Sequence, residues 1–76
     1  MRDEASRAAR ALGAQIREAR RAQGISQRAL AETCGLPCPS LSNIETGKGN
    51  PTVGTLVRIG NVLGLTLAFN QLEDAE

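Results

Sequence analysis

Leu12, Ile16 and Ala19 recur at i, i+4 and i+7 in a segment otherwise filled with Ala, Arg, Gln and Glu. At about 100° per residue that spacing puts the three on one side of a helix. It predicts a first helix over 5–23, whose other faces carry Arg7, Arg10, Arg17, Arg20 and Arg21. Ala and Arg are strong helix formers, and Gly24 is placed to stop the helix in the left-handed conformation. Ser26 then reads as the N-cap of a short helix over 27–34, with Leu30, Ala31 and Cys34 inward and Gly35 at its end. A third helix is predicted over 38–45, with Leu41 and Ile44 inward and Gly47 closing it. Pro37 and Pro39 fix where it starts, because first-turn N–H groups lack intrahelical partners and proline is tolerated there. Residues 48–51 read as a loop. A fourth helix follows over 53–63, with Thr52 as N-cap and Gly64 as the stop. Leu56, Ile59 and Leu63 form its buried stripe, flanked by Val57 and Val62. Gly54 and Gly60 weaken it by up to about 1 kcal/mol each relative to Ala; Gly60 reads as a point of close helix contact.

After Gly64 the period changes from 3.6 to 2. Leu65, Leu67 and Phe69 alternate with Thr66, Ala68 and Asn70, the pattern of a strand with one apolar face. A lone strand leaves its backbone groups unpaired, and no other segment here reads as a partner. The economical solution is the same strand of a second copy, giving a two-fold homodimer through Leu65, Leu67 and Phe69. A frayed extension and a short fifth helix are the alternatives.

Composition changes this picture only a little. Seventy-six residues allow one small domain, and with one Phe and no Trp or Tyr its core rests on Leu, Ile, Val and Ala. A dimer partner would help stabilise so thin a core. No run of 18 apolar residues occurs, so no membrane-spanning helix is predicted. The opening MRDEASRAARALGA carries Asp3 and Glu4 and does not read as a secretory signal. Two cysteines without an export signal point to the cytoplasm and free thiols. Charge is segregated: residues 1–58 hold nine bases and five acids, a net of +4, and residues 59–76 hold three acids and no base, a net of −3. That split permits a basic binding face and an acidic far end.

Candidate chemistry is sparse. The chain lacks histidine, a nucleophile–base set and a phosphate-cradling glycine loop, so it reads as a non-enzyme with no cofactor. Cys34 and Cys38 are spaced C-x3-C, which fills half of a zinc site. Cys34 lies on an apolar stripe and reads as packing; Cys38, near a helix start, leaves a thiol-sensitive switch as a minor alternative.

Two short helices joined by a tight Gly turn make a helix-turn-helix, which lays its second helix in the major groove of DNA. The stretch GISQRALAETCGLPCPSLSNIETGKGNPTVGTLVRIGNVLGL resembles the Cro/phage-repressor type helix-turn-helix, the Xre family, over about residues 12–64. The resemblance is carried by Ser26-Gln27, Leu30-Ala31, Gly35, Leu41, Ile44-Glu45, Gly47-Lys48, Pro51, Thr55-Leu56, Ile59 and Leu63-Gly64. The ending GLTLAFNQ is similar to the C-terminal strand of HipB-type antitoxins, which bind operator DNA as dimers and hold a partner kinase toxin. These likenesses imply an all-α fold, a lambda-repressor-like bundle of four short helices, with a C-terminal β-strand used in dimerisation. The implied division is a helix-turn-helix domain over 1–64, a dimerisation strand over 65–70 and an acidic tail over 71–76.

On the third helix the side opposite Leu41 and Ile44 holds Pro39, Ser42, Asn43 and Thr46, with Cys38 and Ser40 on its flanks. Asn43 suits a bidentate contact to adenine, Ser42 and Ser40 donate or accept, and Pro39 suits a thymine methyl. Family members usually carry polar base readers where this chain has Cys38 and Pro39, which shifts weight towards apolar contact and DNA shape. Gln27 and the second helix's start around Ser26 are the expected phosphate anchors, with Arg28, Lys48, Asn50 and Thr46 as further phosphate partners. Arg7, Arg10 and Arg17 read as solvated surface, with an approach to the duplex as the alternative. The resemblance pairs Arg20 with Glu45, clamping the first helix to the third. The expected function is a repressor of double-stranded operator DNA, acting as a homodimer. Within that, the expectation is the antitoxin of a HipBA-like operon, which silences its own promoter and neutralises a HipA-like kinase toxin. A stand-alone phage- or plasmid-type regulator and a mainly protein-binding antitoxin are the rivals.

Overall fold

The computed structural model describes residues 2–69, and the helical periodicity of the chain is realised in four α-helices: α1 (Arg2–Ala22), α2 (Gln27–Cys34), α3 (Cys38–Glu45) and α4 (Val53–Leu63). The last three have the boundaries their caps predict. Ser26 and Thr52 lie in extended conformation, and their hydroxyl oxygens accept from the backbone N–H of Ala29 at 3.0 Å and Thr55 at 3.1 Å. Pro37 is the N-cap of α3 and Pro39 its second residue, so neither proline removes an intrahelical hydrogen bond. Helix α1 begins three residues earlier than its apolar stripe suggests. Acidic residues favour a helix N-terminus, and Glu4 stands in the first turn.

Helix α1 packs on α3 and α4, and α2 packs on the same two helices from the other side. The core between them is Ile16, Leu30, Ala31, Cys34, Leu41, Ile44, Ile59 and Leu63. Leu30, Leu41 and Ile59 are completely buried, one from each of α2, α3 and α4. Ala19, Ile25, Leu36, Leu56 and Val62 close the edges. Burial pushes the Cys34 thiol above its ordinary value against the opposing pull of the Arg58 charge. A buried, protonated thiol is a packing group, not a nucleophile.

Polar groups complete the junctions. Arg20 Nε donates to Glu45 Oε2 at 2.7 Å and Nη2 to Oε1 at 3.1 Å, while Nη1 donates to the Ile25 carbonyl at 2.8 Å. One guanidinium thus ties the end of α1 to the end of α3 and to the α1–α2 connection. Arg58 Nη1 donates to the Cys34 carbonyl at the end of α2, and Gln23 Nε2 to the Leu63 carbonyl at the end of α4. Both satisfy carbonyls that a helix end leaves without a partner.

Gly60 is buried, and the atoms nearest to a side chain built on it belong to Leu65. A Cβ there would lie 2.9 Å from the Leu65 carbonyl oxygen, where the chain folds back after Gly64. The strand expected over 65–70 is not seen in the single chain: residues 65–69 carry no regular secondary structure, and residue 70 lies outside the described residues with the tail over 71–76. A strand requires a ladder partner, and none stands among the described residues. The Leu65 N–H instead donates to the Gly60 carbonyl at 2.8 Å, and Leu65 and Leu67 run beside Leu12 and Leu56 over the seam between α1 and α4. Among the described residues the molecule is all-helical.

Candidate nucleic-acid interface

The helix-turn-helix is α2, the turn and α3. The turn needs φ of +71° at Gly35, which an L side chain rarely adopts. The Gly35 N–H donates to the Glu32 carbonyl and the Leu36 N–H to Ala31, which closes α2 within one residue. Leu36 then tucks against the core and α3 departs at Pro37. With Leu41, Ile44 and Glu45 buried, α3 has one inner side only. Pro39, Asn43 and Cys38 are exposed, and Ser40 and Ser42 are half-buried on its flanks.

The loop after α3 supplies the rest of the surface. Asn43, Ser40, Lys48 and Asn50 line one open groove of about 320 Å³ between α3, the loop and the start of α4. The loop is held from behind: the Lys48 N–H donates to the Asn43 carbonyl at 2.8 Å. Gly47 has φ of +81°, and a Cβ there would lie 2.8 Å from Arg10 Cα. Only glycine lets the loop sit so close to α1. The Asn43 amide makes no hydrogen bond among the described residues, so both of its ends are available to a base edge.

Several other residues expected to contact DNA also bond within the chain. Gln27 Nε2 donates to Glu45 Oε1 at 3.0 Å, which makes Gln27 part of the Arg20–Glu45 cluster. The Thr46 hydroxyl donates back to the carbonyls of Ser42 and Asn43, capping α3. Ser26 is occupied as the N-cap of α2, and Arg28 is exposed on that helix's first turn. Glu45 is nearly fully buried and Arg20 mostly so, which takes both out of reach of a duplex. Leu65, Leu67 and Phe69 stand apart from this surface, Phe69 fully exposed. No set of three or more metal-binding side chains gathers among the described residues, and no helix there is long and apolar enough to cross a membrane.

Sequence reasoning missed three features. Gly13 is where α1 crosses the end of α3: a Cβ there would overlap the Ile44 carbonyl oxygen and lie 2.8 Å from that of Glu45. A glycine inside an otherwise strong helix former's sequence was the available signal. The Arg58 and Gln23 caps left no comparable trace, because long polar side chains on helix surfaces are the rule.

The helix-turn-helix family model matches residues 16–70. The HTH-type transcriptional regulator PuuR of Escherichia coli K12 is 41% identical over 56 residues, 74% of this chain and 30% of that protein. The SPbeta prophage-derived HTH-type transcriptional regulator YonR of Bacillus subtilis 168 is 30% identical over 57 residues, 75% of this chain and 53% of that protein. The chain therefore spans about a third to a half of these relatives' lengths. Among solved structures, the regulator of biofilm formation SinR in complex with DNA superposes with a TM-score of 0.66 at 32% identity, covering 72% of this chain and 89% of that one. The first two are transcriptional regulators of the helix-turn-helix type, and the third is seen bound to DNA. The four-helix architecture, the cap positions and these likenesses agree: the chain belongs to the Cro/phage-repressor type, or Xre, family of helix-turn-helix proteins.

Proposed function

We propose that this protein is a sequence-specific repressor that reads double-stranded operator DNA with α3 in the major groove. The observation that carries the reading is the exposed Pro39–Asn43 side of α3 beside Lys48 and Asn50, on a helix anchored from behind by buried Leu41, Ile44 and Glu45. A rigid helix with one free polar side is what base reading requires. The DNA complex of SinR supports it. Asn43 is the principal base reader, with Ser42, Ser40, Pro39 and Cys38 around it. Lys48, Asn50 and Arg28 meet phosphates, with Gln27, Ser26 and Thr46 positioning the backbone around them. Bound at a promoter in the cytoplasm, the protein excludes polymerase by occupancy. Asn43→Ala is expected to weaken specific binding by about 1–3 kcal/mol, measured by fluorescence anisotropy on duplex DNA from upstream of its own reading frame. Unchanged preference for that duplex over a scrambled one would remove Asn43 from the reading set.

The functional unit in this proposal is a homodimer on a pseudo-palindrome with half-sites about one DNA turn apart. The exposed apolar run Leu65, Leu67 and Phe69 supports it, because a second copy of that run would supply the missing ladder. A chain ending at Gly64 is expected to sediment as a monomer; a dimer of the truncated chain would place the contact elsewhere. The similarity of GLTLAFNQ to HipB-type antitoxins supports a second task, holding a HipA-like kinase toxin, and a kinase-like reading frame beside this gene is the observation that separates it from a stand-alone regulator.

A further inference from the structure

Helix α1 carries more charge than its packing role explains. Arg10, Arg17 and Arg21 fall within about 40° of one another at about 100° per residue, and Arg7 lies about 60° round from Arg10, one turn nearer the N-terminus. All four are exposed. The ion pair found among the described residues is Arg20–Glu45, so these four arginines have no carboxylate partner there, and Glu4 and Glu18 lie further round the helix. The stripe borders α3 directly. Gly13, about 40° round from Arg17 by the same count, abuts the carbonyls of Ile44 and Glu45, and Arg10 abuts Gly47. The basic edge therefore meets the C-terminal end of α3 near Gly13 and the loop that carries Lys48 at Arg10.

We infer that Arg10, Arg17 and Arg21 form a phosphate-binding rail that tracks the DNA backbone beside the groove occupied by α3. The inference rests on the DNA-reading role proposed above and names residues that role does not use. Arg10 to Arg21 spans roughly 16 Å of helix at 1.5 Å per residue, a length over which one strand of B-DNA carries several phosphates. Guanidinium groups suit phosphate oxygens by their planar fork of donors. A contiguous row with no internal acid is what a polyanion recognises, and its position beside α3 selects the DNA already docked there. The rail carries no sequence information; it sets affinity and orientation.

The test is the salt dependence of binding. Wild type and the triple variant Arg10→Gln/Arg17→Gln/Arg21→Gln are titrated against a duplex of about 30 base pairs from upstream of the gene and a scrambled duplex of equal composition, between 50 and 200 mM salt. The triple variant is expected to lose affinity for both duplexes by a similar factor. Its slope of log K against log salt should be less steep by about 2–3, roughly 0.9 for each phosphate that is no longer neutralised. The matching Arg→Lys triple variant should keep a slope near wild type. A wild type that binds with a slope the Gln variant leaves unchanged would overturn the rail and leave the reading by α3 standing. A slope that falls equally in the Lys variant would overturn it too, since the charge is retained. A wild type that binds neither duplex would overturn both proposals together.

Discussion

Glu45→Ala is expected to remove about 3–5 kcal/mol of folding stability, the cost of stranding one member of a buried pair. Domains of this kind hold roughly 0.05–0.15 kcal/mol per residue in total, so the loss consumes much of what 76 residues supply. The reason is local. Glu45 accepts two hydrogen bonds from Arg20 and one from Gln27, with its side chain 1% exposed; Arg20 is 11% exposed and cannot recover its partners from water. Glu45→Gln should lose less, because an amide oxygen still accepts. The double variant Arg20→Met/Glu45→Leu should be milder than Glu45→Ala alone, since no charge is left buried. Urea denaturation gives the check: the midpoint should fall with an unchanged slope. A loss below about 1 kcal/mol for Glu45→Ala would place the pair with solvated surface bridges and remove its role as the clamp between α1 and α3.

The second large effect runs against helix propensity. Replacing a glycine in a helix interior by alanine normally stabilises by up to about 1 kcal/mol. At Gly13 the added methyl would overlap the backbone carbonyl of Ile44 and crowd that of Glu45. Backbone at the end of α3 cannot rotate away as a side chain would, so α1 must lift off α3. Overpacking of this kind costs about 1–3 kcal/mol, and it also lengthens the Arg20–Glu45 hydrogen bonds that lie two turns further along α1. We expect Gly13→Ala to destabilise by about 1–2 kcal/mol net, the overpacking cost less the propensity gain, read from the same denaturation curves. Gly54→Ala, where the nearest atom to an added Cβ is Thr52 Oγ1 at 3.8 Å, is the control and should not destabilise. A Gly13→Ala protein as stable as wild type would show that the α1–α3 crossing is looser than its geometry implies.

How much of this was legible from the residues follows from the range of each interaction. Caps, stops and proline placement act within one helical turn, and Ser26, Gly35, Pro37, Thr52 and Gly64 accordingly marked the ends of α2, α3 and α4. The apolar stripes of α2, α3 and α4 named the core for the same reason. The strand expected over 65–70 is not seen in residues 65–69 of the single chain, because alternation states only that one side is apolar, and not what covers it. Within this chain the run lies beside the α1–α4 seam instead. Gln27 shows the limit for a site. Its position suggests a phosphate anchor, yet its amide also reaches Glu45, eighteen residues away, an interaction that no local pattern encodes. Close approaches such as Gly13 to α3 depend on the crossing of two helices and were equally out of view. The surface of α3 was legible because Leu41 and Ile44 had to face inward, which left Asn43 facing out.

The most direct test of DNA reading by α3 is backbone amide chemical-shift mapping while the protein is titrated with duplex DNA from upstream of its gene. The account predicts that the largest changes fall on residues 38–50 and at the start of α2, with smaller ones along Arg10, Arg17 and Arg21. Changes confined to α4 and residues 65–69, with Asn43 and its neighbours unmoved, would contradict it.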